Sequence, residues 1–487
     1  MGVMLLTWLW CAPALASALI AALPSRRLAR AAALMASAGI LAYALYLGRP
    51  LFDQTSLAIL EMPFPASAFG IRYTLALDGL SFSLCALTAL LTLLSLAASW
   101  KSESSQGFWS CFLALEAALM GVFLSRDLFW FYVFWDLALV PMFFIIGLWG
   151  SEGRRKAAYK FFLYTAAGSL CLLLGLLSLV VLHQRVTGIW TWDMAELALS
   201  PGPGRHAPWI FALLFIGFGV KVPVFPLHNW LPEAHTEAPA AGSALLAGSM
   251  LKMGVFGILR VLLPVFPMQC WRYLPWLGTL AVINILYGAF CAMAQKDLKR
   301  LVAFTSVSHM GFCLLGIASM TNVGLQGASL QMINHGLSTG GLFLLVGMLY
   351  ERTHRRGIED FGALAEKAPS FTFFFGFILL SSIGLPGLNG FVGELLSLLG
   401  MAQSYFPLAL LASMGAILAA AYGLPAFQKV FWAPAGPGSV SEKVMDLDLR
   451  EQLILSTLCL LILWLGLSPG TLLRLLQPTA SLLARPV

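Results

Sequence analysis

The sequence predicts an all-α polytopic membrane protein. Of its 487 residues, 59% are hydrophobic and only 10% are charged, whereas a soluble domain carries about 25% charged residues. The mean hydropathy is +0.85. The apolar runs are continuous instead of alternating, which disfavours an outer-membrane barrel. Together these observations exclude a soluble globular protein, a fibrous protein and a disordered one.

Fourteen apolar runs are each long enough to cross the hydrocarbon layer, for which a helix needs about 20 residues. The predicted spans are residues 3–23, 29–48, 79–99, 107–125, 127–149, 160–182, 208–230, 241–263, 274–294, 300–320, 325–350, 370–402, 406–431 and 451–470. The longest connections, 49–78, 183–207 and 432–450, are too short for a soluble domain. The first run resembles a signal peptide, but Arg26 and Arg27 follow it instead of preceding it, so we expect a retained helix.

Glycines and prolines interrupt two of the predicted spans beside a charged residue. The seventh span is broken over 219–226, around Lys221, and the twelfth over 384–390, four residues before Glu394. Proline removes a backbone donor and glycine permits a bend. Unwound backbone at membrane depth is tolerated only inside protein or beside a wet cavity, and such helices are typical of inverted-repeat transporters.

The two breaks are five spans apart, which predicts two inverted five-helix repeats, helices 4–8 and helices 9–13. The expected organisation is helices 1–3 in residues 1–106, the first repeat in 107–263, the second repeat in 264–431, and a loop with helix 14 in 432–487. An odd number of helices gives the two repeats opposite orientations in the membrane.

Lysine and arginine are distributed unevenly between the two sides of the predicted bundle, which sets its orientation. If the 24–28 loop is cytoplasmic, that side holds 18 of the 29 basic residues, the other side holds nine, and two lie within the membrane. Both termini then face outward, and the expected location is a bacterial inner membrane. The net charge of +7 lies in short loops without a patch or tail, so it does not indicate nucleic-acid binding.

The eight cysteines are scattered in or at the ends of apolar runs, without CxxC or Cys/His metal-binding spacing. We interpret them as small packing residues and expect no metal site in the chain. No nucleophile constellation, phosphate-binding loop or nucleotide fingerprint is present in the sequence.

Seven ionisable residues lie well inside the predicted spans, where a charge costs at least about 2.5–3.5 kcal/mol. They are Glu116, Asp136, Lys221, Lys252, His309, His335 and Glu394. Counted from the span ends, the residues of this row share a depth of about 15 Å, near the midplane. Groups that gain and lose protons at one depth predict a proton relay across the membrane core.

A purely structural role is the alternative for part of this row. Glu116 could pair with a hydroxyl or a backbone group, and His309 could be held by Ser306 or Ser308. His335 is the stronger candidate among the histidines, because Asn334 and other polar residues surround it. The structural alternative is weakest for Asp136, Lys221, Lys252 and Glu394.

Three sets of motifs resemble the antiporter-like subunits of respiratory complex I. The longest begins at Lys221, reads K-V-P-V-F-P-L-H-N-W-L-P-E-A-H-T-E-A-P, and continues to Lys252. A second, over 131–142, resembles the fifth helix of that family. The third comprises 350–355, 359–364 and 385–394 and indicates the M-type branch (chain 4) over the N and L types. The resemblance covers roughly residues 75–450.

The resemblance implies a fourteen-helix fold with inverted repeats and a part in redox-driven proton pumping. It places Asp136 on the family's fifth-helix glutamate, which pairs with a seventh-helix lysine at Lys221. It places Lys252 on the eighth-helix relay lysine, His335 on an eleventh-helix relay position and Glu394 on the twelfth-helix terminal acid. Weaker candidates for the relay are Glu116, His228 and His309.

One departure from the family pattern concerns the fifth helix, where Asp136 stands in place of glutamate. Because its side chain is one methylene shorter, its reach toward Lys221 falls by about 1 Å. The strength of this ion pair is therefore in question, and a water molecule or Glu116 could compensate.

The resemblance also implies partners. This chain would be a translocase subunit of NADH:quinone oxidoreductase without redox chemistry or a cofactor of its own. FMN, Fe–S clusters and quinone would be bound by partner subunits, and neighbouring antiporter-like subunits and lipid would surround it. The alternatives are a subunit of a multi-subunit sodium/proton antiporter, a membrane arm of a hydrogenase, and a scaffold that transports nothing.

Overall fold

The computed structural model describes residues 4–53, 58–64, 66–102, 104–200, 204–436, 438–441 and 444–484, which are mostly helical. The helices of the first part are α1 (Thr7–Ala21), α2 (Arg26–Phe52), α3 (Gly79–Ala98), α4 (Gln106–Leu124), α5 (Leu128–Leu137), α6 (Leu139–Trp149), α7 (Arg154–Thr187), α8 (Met194–Ala198), α9 (Ala207–Lys221), α10 (Trp230–Glu237), α11 (Ala240–Leu245), α12 (Leu251–Gly257) and α13 (Leu263–Val265). The helices of the second part are α14 (Pro267–Met293), α15 (Leu298–Ala318), α16 (Asn322–Thr353), α17 (Leu364–Lys367), α18 (Pro369–Ser382), α19 (Asn389–Ser404), α20 (Phe406–Phe431), α21 (Leu449–Leu467) and α22 (Gly470–Leu483). Short 3₁₀ turns cover Ser99–Lys101, Gly204–His206 and Ile358–Asp360.

Every predicted span coincides with a helix or a helix pair, so the all-α polytopic prediction is confirmed. Among the described residues, 11 helical segments are long and apolar enough to cross a membrane. The other three predicted spans correspond to the shorter helix α1, to α9 with the break that follows it, and to α18 with α19. The number of fourteen spans, the inverted repeats and their boundaries remain predictions.

Both predicted helix breaks are present. Residues 222–229 separate α9 from α10, and residues 383–388 separate α18 from α19. In the second break Gly384 and Gly387 have φ angles of +78° and +92°. Only glycine adopts this region without a steric cost, so the glycines of this segment allow the chain to turn inside the membrane.

Aspartate side chains cap the first turns of several helices, which is what their position before apolar runs predicts. They accept hydrogen bonds from backbone N–H groups that lack an intrahelical partner. The capping residues are Asp78, Asp127, Asp193, Asp297 and Asp448, for α3, α5, α8, α15 and α21 respectively.

The eighth span departs from a regular α-helix, which the sequence analysis did not predict. Two π-helical turns, Leu246–Met250 and Ile258–Leu262, separate α11, α12 and α13. A π turn inserts one residue into the helix and is frequently found at functional sites. Lys252 lies between these two turns.

The strands β1 (Ala58–Glu61) and β2 (Leu75–Asp78) form an antiparallel pair within the connection between α2 and α3. This pair was not predicted. Isolated backbone bridges join Leu75 to Ser125, both in connections placed outside, and Asp297 to Gly357, both in connections placed in the cytoplasm. These contacts agree with the alternating topology read from the basic residues.

Helices α15 and α16 lie at the centre of the bundle, because their apolar windows are completely buried inside the protein. α16 packs against α15 and against α19, which follows the second break. The centre of the bundle therefore brings the predicted histidines of α15 and α16 beside the predicted acid of α19.

Candidate functional site

Lys221 is the last residue of α9, and only 2% of it is exposed. Within the part of the chain that is described, its Nζ atom has no hydrogen-bond partner. The same atom lies 5.4 Å from the centre of the Trp135 ring and 6.0 Å from that of Phe161. Aromatic faces attract an ammonium group, so this pocket holds the lysine side chain without fixing a counter-ion.

Asp136 lies near the end of α5 and is half-buried. The hydroxyl of Ser169 on α7 donates a hydrogen bond to its Oδ1 atom. No N–O distance between Asp136 and Lys221 falls within 4.0 Å. The direct ion pair that the resemblance implies is therefore not formed, and Asp136 bonds to α7 instead.

Lys252 lies on α12 and is fully buried. Its Nζ atom donates a hydrogen bond to the Ala247 carbonyl of the first π turn and lies 2.6 Å from His335 Nδ1 on α16. With the lysine as donor, Nδ1 accepts and the ring hydrogen is on Nε2. The His335 Nε2 atom has no hydrogen-bond partner among the described residues.

His309 and Glu394 form the second contact of the row, between α15 and α19. His309 Nδ1 lies 3.0 Å from Glu394 Oε1. The opposite ring nitrogen, Nε2, lies 3.2 Å from Ser382 Oγ and 3.4 Å from the Tyr422 hydroxyl. Gln331 Nε2 donates to Glu394 Oε1 at 3.4 Å. Each polar end of this pair therefore has partners inside the membrane core.

The two contacts are joined through the histidines, whose ring centres lie 5.8 Å apart. Lys252, His335, His309 and Glu394 thus form a continuous buried row, which we call the central row. Their exposed fractions are 0%, 3%, 3% and 5%. All four were candidates in the sequence analysis. In the structure they follow one another in this order from α12 to α19.

A network of small polar side chains surrounds the second break. Ser381 Oγ donates to Asn389 Oδ1 at 2.5 Å, and Ser338 Oγ lies 2.7 Å from Ser381 Oγ. Asn334 Nδ2 donates to the Asn389 carbonyl at 2.7 Å. These bonds satisfy polar groups that the interrupted helix leaves inside the bundle.

Two weaker candidates are not part of the central row. Glu116 on α4 is fully buried, and neither carboxyl oxygen has a hydrogen-bond partner in the described ranges. It therefore makes no hydrogen bond to Asp136, so the sharing that we considered for these two acids is not formed. His228 lies in the first break and stacks on Phe225, with 5.8 Å between ring centres.

The sequence analysis did not identify the partners that position the candidate groups. Ser169, Ser382, Tyr422 and Gln331 are ordinary packing residue types at membrane depth, and no spacing distinguishes them. Their importance becomes visible only when separate helices are packed together.

The two broken helices, together with a buried row of lysine, histidine and carboxylate side chains, define the class as antiporter-like polytopic membrane subunits. Residues 125–419 match the family described as NADH:quinone oxidoreductase/Mrp antiporter, TM. The chain is 41% identical over 423 residues to NADH-quinone oxidoreductase subunit M of Escherichia coli, across 85% of this chain and 82% of the relative. The chain therefore belongs to this family, in its subunit M branch.

Other relatives and solved structures agree. Subunit M of Pseudomonas aeruginosa is 42% identical over 412 residues, which cover 82% of this chain and 80% of the relative. A chain of respiratory complex I from Thermus thermophilus with bound NADH has a TM-score of 0.89 at 35% identity, covering 98% of this chain and 99% of that one. A chain of the Mrp complex from Dietzia has a TM-score of 0.88 at 23% identity over 100% and 98% of the two chains, which shows a shared fold.

Proposed function

We propose that this chain is a proton-translocating subunit in the membrane arm of an NADH:quinone oxidoreductase. The observation that carries the proposal is the central row, in which four titratable side chains make successive contacts inside the membrane. Buried ionisable groups are costly in a bilayer, so a connected set of them is explained by transport better than by packing. The identity to subunit M relatives supports the complex in which this transport takes place.

The two histidines of the central row can each take up a proton at one ring nitrogen and release a proton from the other. Lys252 Nζ donates toward His335 Nδ1, and a proton added there is released from the opposite nitrogen, Nε2. His309 accepts at Nε2 and releases from Nδ1 toward Glu394 Oε1. The proton crosses the gap between the two histidine rings either when a ring rotates or through a bridging water molecule. Protons therefore move laterally from α12 to α19.

Asp136 and Lys221 control the supply of protons to this row. When Asp136 turns from Ser169 toward Lys221, its negative charge stabilises the ammonium form of the lysine. When the carboxylate returns to Ser169, Lys221 loses its counter-ion in a dry pocket and its proton passes toward Lys252. The present arrangement, with Lys221 unpartnered, corresponds to the second situation.

Partner subunits supply the driving force in this proposal. They would bind FMN, Fe–S clusters and quinone, and neighbouring antiporter-like subunits would adjoin this chain in a bacterial inner membrane. Purification of the tagged chain from its native membrane with mild detergent, followed by mass spectrometry and an NADH:quinone assay, tests the assignment. Flavin and Fe–S subunits with NADH activity support it, whereas hydrogenase subunits or small membrane partners alone would contradict it.

The transport role is tested by Lys221→Ala in the assembled complex, reconstituted into vesicles. We expect the number of protons moved per NADH oxidised to fall sharply, because the variant removes the lysine that supplies the central row. Lys296→Ala, at an exposed position outside the membrane, is the matched control and should pump normally. Full pumping by a normally assembled Lys221→Ala complex would rule out the role.

A further inference from the structure

Three charged side chains meet at the end of the bundle that the basic loops place outside. Asp78 comes directly before α3, Arg126 lies between α4 and α5, and Arg260 lies in the second π turn of the eighth span. Arg126 Nη2 donates to Asp78 Oδ2 at 2.6 Å, and Arg260 Nη2 donates to both carboxyl oxygens of Asp78. The exposed fractions of these side chains are 13% for Asp78, 19% for Arg126 and 10% for Arg260. We call this group the outer cluster.

The outer cluster carries an excess of positive charge. Arg126 and Asp78 are the charged groups that act on Arg260, so two guanidinium groups share one carboxylate. The same carboxylate also caps α3, where it accepts a hydrogen bond from the Ser81 backbone N–H at 3.0 Å. Arg260 Nε has no hydrogen-bond partner among the described residues. One arginine is enough to neutralise Asp78, so the second leaves the cluster with a net positive charge.

One face of the eighth span leads from the central row to the outer cluster. Lys252 and Phe256 are four residues apart within α12, so their side chains lie on the same face of the helix. The centre of the Phe256 ring lies 5.4 Å from the guanidinium carbon of Arg260. The helix rises by about 12 Å between Lys252 and Arg260. Phe256 therefore lies between the lysine of the central row and the arginine of the outer cluster.

Phe256 forms an apolar layer at this depth together with Phe123 of α4. The two ring centres lie 5.4 Å apart with 79° between the planes, an edge-to-face contact. Both side chains are fully buried. An apolar constriction of this kind excludes the water molecules along which protons move. The guanidinium group of Arg260 covers the outer side of the layer by a cation–π contact with Phe256.

We propose that the outer cluster and these two phenylalanines close the outer end of the eighth span to protons. A hydronium ion that approaches from outside meets a fixed positive charge first and an apolar layer second, and both raise the free energy of a cation. Protons on Lys252 then continue toward Glu394 and neither leave nor return along the eighth span. This outer barrier, as we call it, rests on the proposed function and prevents the return of pumped protons to Lys252.

The outer barrier is tested in the assembled complex, reconstituted into vesicles with the cytoplasmic face outward. The vesicles are loaded with acidic buffer, valinomycin and potassium balance the charge, and a dye outside follows the decay of the pH difference without NADH. For Arg260→Gln we expect decay at least about tenfold faster than in the parent complex, because the charge that repels cations is removed. Arg272→Gln is the matched control, since Arg272 is exposed on the same side. Unchanged decay in a normally assembled Arg260→Gln complex overturns the proposal.

If Arg260→Gln fails to assemble, Arg126→Gln takes its place. This variant also removes the excess positive charge, but it leaves the contact between Arg260 and Asp78 intact. The same acceleration of the decay is expected. A normally assembled Arg126→Gln complex that holds the pH difference as long as the parent complex would contradict the outer barrier.

Asp78→Asn separates a charge barrier from a contact that only holds the helices together. It breaks the same ion pair as Arg260→Gln, yet it leaves the outer cluster more positive. The pH difference should therefore decay as slowly as in the parent complex, whereas equal leakage from both variants would reduce the cluster to a structural contact and overturn the proposal. If Asp78→Asn fails to assemble, Arg260→Lys gives the comparison, because it keeps the charge and should remain tight. Rapid decay in Arg260→Lys would count against the role of the charge.

The route of the leak is tested by combining Arg260→Gln with Lys252→Ala. A leak along the eighth span passes through Lys252, so the double variant should return to the slow decay of the parent complex. Rapid decay in the double variant would place the leak elsewhere and contradict the outer barrier. Lys252→Ala alone distinguishes the two levels, since normal NADH-driven pumping by that variant would contradict the proposed function itself.

Discussion

Asp136 and Lys221 show how one methylene group changes a buried site. The aspartate reaches the Ser169 hydroxyl on α7, while the lysine remains between aromatic rings without a fixed partner. Under the proposed function, the position of Asp136 controls the lysine without holding it. A longer carboxylate at the same position would bring the negative charge closer to Nζ.

We therefore predict opposite effects for two substitutions of Asp136. Asp136→Glu should preserve pumping and favour the ion pair, because the added methylene extends the reach by about 1 Å. Asp136→Asn should reduce the number of protons pumped per NADH several-fold, because an amide gives no counter-charge to Lys221. Vesicle pumping assays on assembled complexes measure both. Equal activity of the two variants would show that the charge of residue 136 is not used.

At the level of single residues, the sequence predicted which buried groups lie in one row better than it predicted the partners of each group. Membrane depth identified Lys252, His309, His335 and Glu394, and the structure joins them in the central row. The same reasoning could not reveal that Asp136 turns toward Ser169, because a side-chain rotamer depends on a neighbouring helix.

Among the helices, α18 begins with a cap supplied by a distant part of the chain. The carboxylate of Asp446 accepts hydrogen bonds from the backbone N–H groups of Ser370 at 3.0 Å and Phe371 at 2.9 Å. These donors lie in the first turn, where a negative charge also interacts favourably with the helix dipole. The cap ties the connection before α21 to the start of the second broken span.

Asp446→Asn should lower the free energy of unfolding by about 0.3–1 kcal/mol, because the amide has one acceptor oxygen for two backbone donors and lacks the negative charge that interacts with the helix dipole. Burial alone would raise the pKa of Asp446, but hydrogen bonds from the backbone N–H groups of Leu447, Ser370 and Phe371 outweigh it and hold the pKa below 3.8. Its contribution is therefore complete above the unfolded pKa and is lost as the pH falls through the lowered folded value.

Thermal unfolding of the detergent-purified protein measures this effect. The difference between Asp446→Asn and the parent chain should be present at neutral pH and disappear below the lowered pKa. Asp53→Asn, an exposed substitution at the end of α2, should leave the stability unchanged. A destabilisation by Asp446→Asn that persists unchanged at strongly acidic pH would show that the carboxylate charge is not the cause.

The helices themselves were predictable to different degrees. The breaks in the seventh and twelfth spans followed from glycine and proline, which act through local backbone geometry. The π turns around Lys252 have no cluster of such residues, since the first contains a single glycine, Gly248, and the second contains neither glycine nor proline. One inserted residue also barely alters the pattern of a span that is mostly apolar. The strand pair β1 and β2 was missed because its four-residue strands lie in a connection with little alternation.

For the molecule as a whole, the basic residues and the contacts between connections indicate on which side of the membrane each connection lies. The bridge between Leu75 and Ser125 and the bridge between Asp297 and Gly357 each join connections assigned to one side. The number of spans that is counted depends on whether an interrupted helix is treated as one span, because such a helix consists of two short pieces. Packing of the central helices could not be predicted, since every span is apolar.

The orientation leads to a prediction about the termini. Alkaline phosphatase, which is active only outside the cytoplasm, should be active when fused to the C-terminus. It should be inactive when inserted between α16 and the following 3₁₀ turn, within 354–357, a connection that the basic residues assign to the cytoplasm. Enzyme activity normalised to the amount of fusion protein measures both. The reverse pattern would invert the assigned sides.

The two interrupted spans also affect how the protein responds to the thickness of its bilayer. A continuous helix that is too long or too short for the local lipid tilts as a rigid rod and moves every group along its length. A span divided at mid-depth can tilt its two halves separately about the break. Variation in lipid chain length is then absorbed at the membrane surfaces, and the alignment of Lys221 and Glu394 with their neighbours at mid-depth is preserved.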